Sequence, residues 1–211
     1  MESDLFIFTI LVLLLSIIVH EIAHGYAANA LGDPTAKLAG RLTLNPIRHI
    51  DPLGSIVIPG ILVLSGTSFL FGWAKPVPYN PYNLKNQRWG EAVVSIAGVA
   101  TNFLLVILFA LFARGAAAMG AEEFASLAAL VVLVNLFLGM FNLIPFPPLD
   151  GYTFLRSILP ARRAMAFRGF EERLMRGGFL TLIVFLLVFS FFLARPFIQL
   201  VLWIFNLLIG G

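Results

Sequence analysis

The sequence predicts an all-α, polytopic membrane protein: a bundle of about four to six transmembrane or membrane-embedded helices, with one short β-hairpin near residues 35–46. Three observations predict it. Of 211 residues, 60% are hydrophobic and only 12% are charged, against about 25% charged in an ordinary globular domain. The few charges bound long charge-free runs rather than dotting them. Several of those runs approach the roughly 20 residues that cross a bilayer as a helix. A soluble fold of this size would have too little polar surface to cover itself, so the expected surroundings are lipid. The length fits a single membrane-embedded domain. Without cysteine, disulfides and thiolate metal sites are excluded. The net charge of +3 comes from basic residues beside the hydrophobic runs. That is a topology signal, and no nucleic-acid partner is expected.

The first run covers residues 5–19, is interrupted at His20 and Glu21, and resumes to residue 32. Its flank carries Glu2 and Asp4 instead of Lys or Arg, and no small-residue cleavage site follows, so it is expected to persist as a helix. Residues 52–74 contain Pro52, Gly54, Pro59, Gly60, Gly66 and Gly72, a density that breaks helices. A short hairpin is predicted before them, from the alternation of Leu38, Leu42 and Leu44 with small or polar residues. Residues 73–82 read as a Pro-rich loop. Runs 92–113 and 124–149 are good spans, and residues 177–194 make another. The run from Pro196 onward is doubtful.

Basic residues set the expected orientation. Residues 150–176 hold six arginines against three acids, which predicts a cytoplasmic segment, amphipathic from 162 to 176. Both flanks of residues 52–74 are basic, so a single crossing would strand one basic flank outside. A re-entrant path resolves the conflict; a full span with the first helix reversed is the alternative.

The chain has three histidines, and two form His20-Glu21-Ile22-Ala23-His24. On a helix, positions i and i+4 share a face. Both imidazoles can reach one metal ion while Glu21 lies beside its water. Ionisable groups inside a spanning segment are costly, about 2.5–3.5 kcal/mol each on insertion scales, and mark function by default. A catalytic zinc takes three protein ligands and keeps one position open. The third ligand must be His49 or a carboxylate. Asp150 ends the run 124–149 behind Pro145, Pro147 and Pro148, which must unwind the helix there. It can be aimed into the bundle as a ligand, or it can cap the following helix. His20, His24 and Asp150 all fall near the cytoplasmic side in the expected topology.

His20-Glu21-Ile22-Ala23-His24-Gly25 in the first hydrophobic helix, with Asn142, Pro145, Pro148 and Leu149-Asp150-Gly151 far downstream, closely resembles the site-2 protease family of intramembrane zinc metalloproteases. Leu44-Asn45-Pro46, His49-Ile50-Asp51-Pro52-Leu53-Gly54 and Trp73-Ala74-Lys75-Pro76-Val77-Pro78 resemble its compact prokaryotic branch, which lacks PDZ and CBS domains. The resemblance covers about residues 5–160, the expected catalytic core; the C-terminal helices of 161–211 carry no matching motif. It implies one Zn2+ per chain, held by His20, His24 and Asp150, with Glu21 as general base. It implies transmembrane protein or peptide substrates, and a multi-pass protein of the prokaryotic plasma membrane with its site toward the cytoplasm. The family's Ala-Gly-Pro-x-x-Asn pattern reads Ala97-Gly98-Val99-Ala100-Thr101-Asn102 here, with Val99 in place of proline. Asn102 is accordingly a candidate for oxyanion or substrate contact, or for bonding between helices. Asn142 is a candidate on similar grounds. The expected reaction is peptide hydrolysis by a zinc-activated water, with the substrate segment unwound and added to an edge strand near residues 37–45. The rival reading, a membrane metal transporter or sensor using the same ligands, calls for further acidic or His residues along several helices.

Overall fold

A computed structural model describes residues 2–64 and 73–210. Among the described residues the regular structure is entirely helical. Four helices are long and apolar enough to cross a membrane: Asp4–Ala30, Trp89–Ala118, Glu122–Asn142 and Ile183–Ile209. Three of these are the expected spans. The fourth corrects the reading of the C-terminal runs, because residues 177–194 and the run after Arg195 join into one continuous rod. That rod comprises α8 (Gly178–Val188), a π-helical stretch (Phe189–Leu193) and α9 (Ala194–Ile209). Pro196 explains the π turn: it has no N–H for the carbonyl four residues back, and its ring crowds that carbonyl.

The β-hairpin predicted near residues 35–46 is absent. Residues Thr35–Leu38 form a single helical turn, α2, and Pro46–His49 form a 3-10 turn. The alternating leucines had no partner strand to pair with, and Gly40 at φ +64° turns the chain between them. Leu38 and Leu44 remain exposed. The proposed edge strand for substrate is lost with the hairpin.

Part of the re-entrant segment expected at 52–74 lies outside the described residues. Its ends are described and they meet. The backbone N–H of Trp73 donates to Gly54 O at 3.1 Å, and the Ser55 hydroxyl donates to Trp73 O at 2.9 Å. Trp73 packs so closely on Gly54 that a Cβ there would lie 2.4 Å from the indole. The segment leaves with a π-helical stretch (Pro52–Val57) and α3 (Ile58–Leu64), and it returns to where it began. Both basic flanks therefore lie on one side, which removes the conflict posed by a single crossing.

The centre of the molecule is α4 (Gln87–Ala118), which packs against α1 (Glu2–Ala30), α5 (Glu122–Asn142) and α6 (Asp150–Ile158). α4 and α5 form an antiparallel pair turned at Gly120, φ +74°. Their apolar seam, Val106, Ala110, Val132 and Leu136, also receives Val201 of α9. On α1 the buried positions Ser16, His20, His24 and Ala28 recur every four residues along one stripe, while Leu5, Phe6, Leu11 and Leu15 face outward. Outward leucines are costly in water and natural in lipid. α7 (Ala161–Arg176) follows α6 as the expected charged helix and buries none of its residues.

Candidate metal centre

The stripe on α1 meets a matching stripe on α4. Val94, Gly98 and Asn102 lie four residues apart, so they too share one face. The helices run antiparallel, and His24 faces Val94 while His20 faces Asn102. His24 Nδ1 lies 2.6 Å from Val94 O, and His20 Nδ1 lies 2.5 Å from Asn102 Oδ1. Both partners present an oxygen, so each Nδ1 carries a hydrogen, and in the neutral ring each Nε2 keeps its lone pair. Between them sits Gly98. A Cβ at this position would lie 2.6 Å from His24 Nε2 and 2.7 Å from His20 Nε2. Glycine there keeps open the space in front of both nitrogens.

The third group comes from 126 residues beyond His24. α5 stops at Asn142 and α6 starts at Asp150, and the proline-rich turn between them carries the carboxylate inward. Gly151 lets that turn close: a Cβ on it would sit 2.2 Å from Leu143 O. No side-chain cap bond forms at the start of α6, so Asp150 does not act as the cap that the sequence left open. Its Oδ2 lies 3.0 Å from His20 Nε2 and 3.3 Å from His24 Nε2, and the two Nε2 atoms are 3.1 Å apart. Asp150 Oδ2 is buried without a hydrogen-bond partner.

Three electron-rich atoms thus crowd into one small triangle. Without positive charge among them they repel. Donor atoms held about 2.0–2.2 Å from a tetrahedral metal ion lie ~3.3 Å apart, and a set of two imidazoles and a carboxylate with an open fourth position is a catalytic zinc set. The triangle fits a divalent metal. Among the described residues His20, His24 and Asp150 are the group that could hold one. His49 is not part of it. Its Nε2 is bonded to Thr43 O at 2.8 Å, and its carbonyl accepts from Lys75 N at 2.9 Å. It fastens the loop below the site.

Glu21, beside the ligands on α1, accepts a hydrogen bond from Val77 N at 2.8 Å. The Pro-rich loop 73–82 therefore crosses the site and touches the expected base. The loop is pinned at both ends: Arg41 donates to Lys75 O at 2.7 Å, and Asn80 N donates to Asp33 Oδ2 at 2.6 Å. Burial works to raise the Asp33 carboxyl, but hydrogen bonds from Thr35, Asn83 and the Asn80 backbone outweigh it and hold it below the usual carboxylate range.

Asn102 is fully buried with both ends of its amide engaged, Oδ1 at His20 and Nδ2 at Asn135 Oδ1. Asn142 is not at the triangle; its amide donates to Leu138 O, four residues back along α5. Sequence reading passed over Asn135 and Glu91, and it met Val77 only as a member of the motif at residues 73–78, with no role of its own. Asn135 carried a usable signal, as a lone amide inside an apolar span. Nothing in the residue type of Val77 marked its contact with Glu21, because it is made by the backbone N–H. Glu91 is 4% exposed and pairs with Arg156 at 3.2 Å. Arg156 also pairs with Glu171, tying α4, α6 and α7 together below Asp150.

The chain matches the profile of peptidase family M50 over residues 112–185. It is 37% identical to "Putative zinc metalloprotease YwhC" of Bacillus subtilis over 206 residues, 93% of this chain and 84% of that protein. It is 30% identical over 213 residues to the protein named in the same terms as Rip2 in Mycolicibacterium smegmatis, 95% of this chain and 74% of that one. No solved structure matches the chain significantly.

Proposed function

The chain belongs to peptidase family M50, the site-2 protease family, and from that premise we propose how this zinc metalloprotease of the membrane works. The observation that carries the reading is the convergence of His20 Nε2, His24 Nε2 and Asp150 Oδ2 within 3.3 Å, beside Glu21. These three residues hold one zinc ion per chain. When bound, the zinc supplies a Lewis acid for the scissile carbonyl and lowers the pKa of its water toward ~7.

The chain's own groups do the rest. Asn102 and Val94 O fix both imidazoles with Nε2 forward, and Gly98 keeps the approach clear. Glu21 takes a proton from the attacking water and delivers it to the leaving amine as the C–N bond breaks. Its second carboxylate oxygen stays on the Val77 N–H, which holds the first in place. The substrates are transmembrane protein segments, locally unwound so that the peptide bond is free of its helical hydrogen bonds. The positive-inside distribution of arginines around residues 150–176 supports a site toward the cytoplasm, and the proposed location is the prokaryotic plasma membrane. The transporter reading requires further ligand clusters, and among the described residues none accompanies the triangle.

The test is metal analysis together with cleavage of a transmembrane substrate in detergent. Glu21→Gln is expected to retain zinc and lose activity by on the order of 10²–10⁴-fold. Cleavage at the wild-type rate would remove Glu21 as the base. Asp150→Ala is expected to lose zinc; full occupancy would place the third ligand elsewhere.

A further inference from the structure

His20 and His24 present the same nitrogen to the metal, but their tautomers are set differently. His24 Nδ1 faces a backbone carbonyl, Val94 O, which can only accept. His20 Nδ1 faces a side-chain amide, and an amide can turn over and offer NH2 in place of oxygen with almost no change of shape. A reversed Asn102 would donate to His20 Nδ1 and move the ring hydrogen to Nε2, where it would block the ligand lone pair. Packing alone cannot choose between the two orientations.

The structure supplies a choice. Asn102 Nδ2 donates to Asn135 Oδ1 at 2.9 Å. Asn135 Nδ2 in turn donates to Val131 O at 3.0 Å and to Ser16 Oγ at 2.9 Å. Val131 O can only accept, so it fixes the direction of every bond in the series. The Asn135 NH2 must face it, leaving Oδ1 toward Asn102; the Asn102 NH2 must face Asn135, leaving its oxygen toward His20. Both asparagines have no exposed surface, and inside the apolar bundle no water competes to relax this order. Ser16 lies one turn before His20, so the series leaves α1, crosses α5 and α4, and returns to α1 at the ligand.

We propose that Asn135, anchored on Val131 O and Ser16, is a positioning residue for the metal site: through Asn102 it dictates which nitrogen of His20 is free to bind zinc. The proposal rests on the metalloprotease reading above and gives α5, which contributes no ligand, a part in zinc affinity.

The full-length protein in detergent tests it by zinc competition against a chelator and by nitrogen-15 spectra of the histidine rings without metal. Metal-free wild type is expected to show a hydrogen on His20 Nδ1, whether or not Nε2 also carries one toward Asp150; a bare Nδ1 overturns the proposal without any variant. Asn135→Leu is expected to weaken zinc binding 10–100-fold, as loss of a partner behind a ligand does, and to give His20 a mixture of tautomers. Ser16→Ala leaves the Val131 anchor and is expected to weaken binding less than about tenfold. Leu136→Ala, at a 2% exposed neighbour on the same helix, is expected to lower thermal stability while leaving zinc affinity and the His20 spectrum unchanged. Wild-type affinity and tautomer in Asn135→Leu would overturn the proposal, as would an equal loss of zinc in Leu136→Ala. Wild type that binds no zinc at all would overturn the metalloprotease reading, and the proposal with it.

Discussion

Two halves of this bundle are held together by different chemistry. α1, α4 and α5 are joined by directional polar bonds: His20 to Asn102, Asn102 to Asn135, Asn135 to Ser16, and His24 to Val94. The C-terminal rod is attached by aromatic rings. Phe197 meets Phe137 at 5.2 Å and Phe141 at 6.2 Å, Phe189 meets Phe141 at 5.4 Å, and Phe185 stacks on Phe146 at 4.1 Å. The contrast separates precision from attachment. Lipid tails are as apolar as the helices, so burying apolar surface does little to fix one helix on another. Hydrogen bonds specify angle and register, and they are found where a metal must be met to within a fraction of an ångström. Ring contacts hold a helix in place while tolerating small shifts.

If this division is right, damage to the first half must cost metal binding out of proportion to stability, and damage to the second must do the reverse. After loss of the general base, the largest effect should come from Gly98. Gly98→Ala places a methyl 2.6–2.7 Å from both ligand nitrogens, and at least one ring must turn away. Zinc affinity is expected to fall by about 100-fold or more, the upper range for disturbed ligand orientation, with the helix content by circular dichroism retained. Wild-type zinc affinity would show that the two stripes can separate freely, and the contrast would break.

A smaller effect is expected at Asp33, which pins the Pro-rich loop to the end of α1. Asp33→Asn should cost about 1–3 kcal/mol, the loss on weakening hydrogen bonds to a buried charge. The sign with pH follows from its depressed pKa. The stabilisation is complete above the ordinary value of 3.8 and is lost as the pH falls through the lower folded value. Thermal melts of wild type should therefore decline in that acid range, and those of Asp33→Asn should decline less. Identical pH profiles would remove Asp33 from the account.

The smallest effect is expected in the aromatic half. Phe197→Leu should lower stability by about 0.5–1.5 kcal/mol, the worth of its ring pairs, and leave zinc affinity unchanged. A tenfold change in zinc affinity would mean that the C-terminal rod also sets the site, and the two halves would have to be treated as one.

Much of the molecule was legible in the sequence for local reasons. Charge-free length identifies spanning helices, and three of the four fell where the runs did. The spacing His20 to His24 places two imidazoles on one face whatever the surroundings. Three prolines before Asp150 end a helix in any context. The misreadings were non-local. The alternation at residues 37–44 is a strand pattern only if a second strand lies beside it, and none does. Arg195 looked like a terminator, but the helix runs through it. Asn102 was left between a substrate or oxyanion contact and a bond between helices; its amide meets Asn135, 33 residues away on another helix, a pairing no local pattern shows.

The sequence by itself determined that this is a helical membrane protein, and that His20, Glu21 and His24 stand together in its first spanning helix. Period, hydropathy and proline are properties of neighbouring residues, and they act before the chain has folded. Only the tertiary structure brought Asp150 to the two histidines and turned His49 onto Thr43, and joined the described ends of residues 52–74. It alone fixed the free nitrogen of each histidine, by a carbonyl of α4 for one and a relay through α4 and α5 for the other. Those outcomes depend on which lone pairs and hydrogens meet across helices, and residues 126 positions apart meet only when the bundle has closed.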